Sequence, residues 1–201
     1  MKRMIAALVC LLLAVALLAG CTPSEQKLLV GKWTGKADLA EAYETLLAKA
    51  DPTLTGHIDI EDFQVELTLE FHESGTYQIT ADPEDLEAGV DKMMDAIGEG
   101  LAAYLEMQTG LTIDQLLVAS GKTMDGLLAE YFDPNMVQVV KTTLEISGSY
   151  EIDDGELALT DKTNFVIFEG DCEVSKDELE LKNGIGNELF SNLMPMNFEK
   201  D

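Results

Sequence analysis

The feature that most constrains this chain is an alternation of apolar and polar residues that runs, stops, and resumes roughly sixty residues later. Val65, Leu67, Leu69 and Phe71 alternate with Glu66, Thr68, Glu70 and His72, the period-two pattern of a strand with one wet face. Glu73-Ser74-Gly75 supplies a turn, and Tyr77 and Ile79 carry the alternation back. The pattern returns at Leu144, Ile146, Gly148, Tyr150 and Ile152, turns at Asp153-Asp154-Gly155, and continues through Leu157 and Leu159. Phe165 to Phe168 is continuously apolar, and Gly170 offers a bulge before Cys172 and Val174. Ser175-Lys176-Asp177 then turns into Leu179 and Leu181, and Met194, Met196 and Phe198 alternate once more. Pro195 marks that last segment as an edge or closing strand. With Leu28 to Lys36 as the first, about eight strands result, and such a meander of hairpins closes naturally into a barrel.

Two stretches keep a helical spacing instead. Leu39, Ala42, Tyr43, Leu46 and Leu47 share one helical face between the first and second strands. The longer interruption spans about 82–141, between the third and fourth strands. Asp82-Pro83-Glu84-Asp85 is a helix start, with an N-cap, a proline at the first helical position and acids in the first turn. Leu86, Val90, Met93, Met94, Ile97, Leu101, Tyr104 and Leu105 follow at helical spacing, and Gly110 ends the run. Thr112 caps a second helix with Ile113, Leu116 and Leu117, a third spans Met124 to Tyr131, and Asp133-Pro134 starts a short fourth. Such an insertion is too long for a barrel loop and must pack as its own layer. The expected fold class is α+β, mainly antiparallel β, in a single domain over 28–201.

Charge narrows the functions open to such a domain. With 38 acidic against 13 basic residues the net charge is −25, which excludes nucleic acid, whose phosphates need a basic surface. Arg3 is the only arginine, so the folded body has no guanidinium with which to clamp a carboxylate or phosphate. Three cysteines and two histidines give neither a disulfide framework nor a zinc site.

The first twenty residues read as a signal: Lys2 and Arg3, an apolar run from Met4 to Ala19, then Leu18-Ala19-Gly20-Cys21. This end resembles the lipobox of bacterial lipoproteins. The resemblance implies cleavage behind Gly20 and a diacylglycerol, with acyl chains such as palmitate, on Cys21. It also implies residence on the extracytoplasmic face of the bacterial cell membrane, with 21–27 as a lipidated tether. Losing Lys2 and Arg3 leaves 11 basic against 38 acidic residues, a net of −27, so the anchor and not the protein surface holds the chain to an anionic membrane.

Gly31-Lys32-Trp33 opens the first strand, and Ser74-Gly75-Thr76-Tyr77 is nearly repeated as Ser147-Gly148-Ser149-Tyr150. A Gly-x-Trp before a run of hairpins, with these strand starts, resembles lipocalins and the lipocalin-like lipoproteins of bacteria. The likeness covers about 28–36, 63–81 and 142–200. It implies a lipocalin-like barrel in which Trp33 packs at the closed end beneath a cation from a late strand. With no arginine left, either Lys182 or Lys200 takes that place or the contact is absent. It further implies an apolar small molecule as ligand, with Trp33, Leu67, Leu69, Tyr77, Tyr150, Met94 and Ile97 as its candidate contacts. The alternative is a filled barrel serving as a structural or protein-interaction module of the cell envelope.

No phosphate-binding loop, nucleophile elbow or zinc-protease motif occurs, and no acid pair stands out among 38 carboxylates. The expectation is no catalytic residue, no metal and no cofactor. Cys172 alternates with Val174 and reads as a small buried hydrophobe. Met93, Met94, Met107, Met124 and Met136 concentrate in the inserted helices, as core filler or as a pliable apolar surface.

Overall fold

The computed structural model describes residues 24–201 apart from 55, 131, 133 and 134. The signal, the lipobox and Cys21 lie outside the described residues, as does the Asp133-Pro134 helix start. Eight antiparallel strands, hydrogen-bonded in chain order, form a closed barrel. They are β1 (Gly31–Asp38), β2 (Gln64–Phe71), β3 (Thr76–Ala81), β4 (Ser147–Asp153), β5 (Glu156–Asp161), β6 (Val166–Val174), β7 (Glu178–Gly186) and β8 (Met196–Lys200). β8 is the closing strand, paired with β7 on one side and β1 on the other. Gly170 does mark an irregularity: the β6–β7 register shifts between Gly170 and Cys172.

Seven helices accompany the strands among the described residues. α1 (Glu25–Leu29) precedes β1, α2 (Ala40–Ala50) follows it, and α3 (Pro83–Thr109), α4 (Ile113–Ser120), α5 (Met124–Leu128) and α6 (Met136–Leu144) lie between β3 and β4. α7 (Glu188–Asn192) precedes β8. Three boundaries differ from the sequence expectation. Residues 25–29, expected as tether and strand, form α1; Leu144 ends a helix instead of starting β4; and α7 interrupts a stretch with no helical period of its own.

The connections give the barrel two unlike poles. At one, the chain enters through α1 and the tight turns 72–75, 153–156 and 174–178 join neighbouring strands. At the other, three of the four connections carry helix, the exception being the 162–165 turn between β5 and β6. Asp82 starts α3 by accepting hydrogen bonds from the Glu84 and Asp85 backbone N–H groups through its carboxylate. α3 then runs back along the segment 57–63 that leads into β2. Phe63 lies flat on Gly89, where any Cβ would collide with its ring, and the same is true of Gly100 against His57 and Ile58. Phe63 also stacks on Tyr43 of α2, with ring centroids 5.7 Å apart. Leu86, Val90, Met93 and Ile97 of α3 belong to one continuous core with the inward residues of the strands. The helices between β3 and β4 thus share one core with the barrel.

Candidate functional site

The closed pole is built around Trp33. Its indole N–H donates to the Leu29 carbonyl at 2.7 Å, inside the protein, so α1 is tied beneath the ring. Lys200 Nζ stands 4.6 Å from the ring centroid and donates to the Leu28 carbonyl at 2.7 Å. A cation over an indole face is attracted by the ring quadrupole, and the same ammonium satisfies a carbonyl at the end of α1. Of the two lysines considered, Lys200 takes this position, while Lys182 pairs with Glu173 and Glu180. Glu25 completes the closure by accepting from the Gly155 N–H at 3.1 Å.

Inside the barrel the expected ligand contacts are covered by one another. Trp33, Leu67, Leu69, Tyr77 and Tyr150 are each no more than 5% exposed. Register explains the packing: Trp33 lies opposite Leu69 and Leu69 opposite Ile79, while Phe71 lies opposite Tyr77 and Tyr77 opposite Gly148. Phe71, which was not among the expected contacts, sits between two of them, 6.3 Å from the Tyr77 ring and 5.0 Å edge-to-face from Tyr150. Tyr150 donates its hydroxyl proton to the His72 carbonyl at 3.0 Å. Met94 and Ile97 are carried by α3, outside the strand barrel, Ile97 buried and Met94 half-buried. The structure therefore gathers five of the seven within the barrel and places two in the helical layer.

One polar atom in this interior has no partner. The Tyr77 hydroxyl is buried without a hydrogen bond, and burial, with the charge of Asp161, pushes its ionisation well above the ordinary phenol value.

Three concavities open on the outside. One of about 1290 Å3 lies along β7, β8 and β1, with Thr34, Lys36, Glu180, Lys182, Asn197 and Glu199 on its walls. A second of about 310 Å3 lies between α2 and the 54–58 segment. The third, about 500 Å3, follows the β3–β4 seam, where the ladder spans only Thr76–Gln78 against Ser147–Ser149. Of the expected contacts, Tyr77 alone borders any of these three.

Cys172 is a buried free thiol, raised to about 11 first by burial and then by Glu25 and Asp171, which keeps it protonated and unreactive at neutral pH. Among the described residues no three His, Cys, Asp or Glu side chains are placed to hold a metal ion, and no helix is long and apolar enough to cross a membrane. No protein-family model, curated protein or solved structure matches this chain.

Proposed function

We propose that this chain is a lipid-anchored, extracytoplasmic protein of the bacterial envelope, a non-enzymatic interaction module built on a filled lipocalin-like barrel. The observation that carries the reading is the interior: Trp33, Leu67, Leu69 and Phe71 are buried to within 1% and pack in one core with Tyr77 and Tyr150. An eight-stranded barrel is just wide enough to fill with side chains or to hold one small ligand, and burial this complete supports the filled reading. The lipocalin-like part rests on Trp33 beneath Lys200 above a short entry helix. The anchor rests on Leu18-Ala19-Gly20-Cys21 behind a complete apolar run.

Mass spectrometry of lipids extracted from natively purified protein tests this. The expected result is no protein-specific apolar species, the covalently held anchor staying with the protein; a stoichiometric co-purifying apolar species overturns the filled-barrel reading. Cys21→Ala should abolish labelling by a fatty-acid analogue, and retained label refutes the anchor.

A carrier for a small apolar molecule is the second reading, favoured by the unpartnered Tyr77 hydroxyl, which a ligand's polar group would satisfy. Tyr77→Phe separates the two. In a filled barrel it removes an unmet polar group, which costs about 1–3 kcal/mol, so thermal stability should hold or rise. In a carrier it lowers the yield of the extracted species.

A further inference from the structure

The unpartnered Tyr77 hydroxyl lies in a row that crosses three strands. Tyr77 of β3 is opposite Gly148 of β4, and Gly148 is opposite Asp161 of β5. Residues paired across an antiparallel ladder share a face, so a residue without a side chain separates the tyrosine from the aspartate. Gly148 can carry none, because a Cβ there would run into the Thr160 carbonyl and the Asp161 Cα. Tyr77 is 2% exposed, and the charge that acts on its hydroxyl is that of Asp161. Both residues border the concavity of about 500 Å3 along the β3–β4 seam, a size within the range of small-molecule sites. A buried donor without a partner, beside a cleft, calls for an acceptor that the cleft brings.

The wall narrows what that acceptor belongs to. Among the described residues no aliphatic side chain lines the cleft, so an apolar molecule has little there to bury against. Gln78, Ser147, Lys162 and Asn164 line it with side chains that have no hydrogen-bond or ion-pair partner among the described residues. Asp161 Oδ1 accepts from the Thr163 N–H and hydroxyl, each at 2.7 Å, and from the Phe165 N–H at 2.9 Å, whereas Oδ2 accepts nothing among the described residues. These bonds hold the turn that presents Lys162 and Asn164. The charges of Lys162 and Asp161 balance, and a chain of net −25 gives an anion no advantage. No metal-binding group of side chains stands here either. What fits is a neutral molecule that both accepts and donates. The Tyr77 hydroxyl offers a proton where Asp161 Oδ2 seeks one, and a sugar hydroxyl meets both needs from a single oxygen, whereas an amide needs two atoms.

We propose that the β3–β4 seam is a binding site for a neutral sugar. Tyr77 donates to a sugar oxygen, Asp161 Oδ2 accepts from a sugar hydroxyl, and the Gln78 and Asn164 amides bond the remainder. The site needs neither the anchor nor an empty barrel. It shares Tyr77 with the carrier reading and takes a ligand of opposite polarity.

Titration of the lipid-free mature chain, isotope-labelled and carrying Cys21→Ser, tests it by nuclear magnetic resonance. The probes are glucose, galactose, mannose and N-acetylglucosamine, with decanoate and a blocked alanine dipeptide for comparison. At least one sugar should bind saturably with a Kd of about 1 mM or tighter, shifting amides over 76–78, 147–149 and 161–164. Tyr77→Phe and Asn164→Gly should each weaken it about tenfold while the melting temperature holds. Asn164 has a left-handed backbone, φ 63°, which glycine adopts freely, so the second variant removes the amide and keeps the turn. Absence of saturable sugar binding overturns the proposal, as does binding that both variants leave intact. Tighter binding of decanoate or of the dipeptide overturns it too, by giving the cleft to an apolar or a peptide ligand. A lipid recovered by extraction bears on the barrel interior alone and leaves the seam to this titration.

Discussion

Lys200 does at Trp33 what a guanidinium would do with more donors. It carries one positive charge over the ring and one hydrogen bond to Leu28, and among the described residues no acid forms an ion pair with it within 4 Å. The neighbouring charges are engaged elsewhere: Asp201 binds Lys32 at 2.8 Å and accepts from the Thr34 hydroxyl at 2.8 Å. Trp33→Ala removes a fully buried ring and should destabilise by about 3–5 kcal/mol. Lys200→Met keeps the aliphatic stem and loses the charge and the bond, for roughly 1–2 kcal/mol. Lys200→Arg should recover most of that. Urea titration checks all three. Trp33 is the chain's only tryptophan, so its emission reports the closed pole directly; a red-shifted native spectrum would contradict its burial.

Elements divide by how much they bury. β2 alternates perfectly between buried and outward residues, and its period was plain in the sequence. α1 and α7 were not legible because five residues span little more than one turn, too short for a helical period to emerge. Leu28, Leu29 and Val30 also imitate the start of a strand. Leu144 and Ile146 share a strand's alternation, yet the α6 backbone continues through Leu144, whose side chain is fully buried. The candidate site was legible one strand at a time. Which residues face inward followed from each alternation, but that Phe71 stands between Tyr77 and Tyr150 depends on register across three strands. The Tyr77 hydroxyl's lack of a partner has no sequence signal at all. α4 is the opposite case to β2, a helix held by its caps. Thr112→Ala removes the capping box and should cost about 1 kcal/mol. Because α4 adds nothing to the core, that loss should appear as roughly fivefold faster amide exchange over 113–120 with no change in the global melting temperature. An equal drop in global stability would show that α4 is part of the cooperative unit.

At the scale of the whole molecule one continuous core meets a large uncompensated charge. Because the strands and α3 share that core, calorimetry should show a single transition whose van't Hoff and calorimetric enthalpies agree; two resolved transitions would mean that barrel and helical layer unfold separately. Self-repulsion at −25 opposes the compact state, so raising salt from about 0.02 to about 0.5 M, which shortens the screening length severalfold, should raise the melting temperature. A flat response would mean that the acids are far enough apart for water alone to separate them. The closed pole, finally, has a place in time as well as in space. Trp33 reaches the Leu29 carbonyl four residues away, whereas Lys200 reaches Leu28 across 172 residues. Local hairpins need little chain entropy to form, and contacts this distant along the chain wait for the rest. The plug is thus half assembled from the outset and latched last, when β8 arrives, so Trp33 emission in a refolding experiment would mark the moment at which the barrel closes.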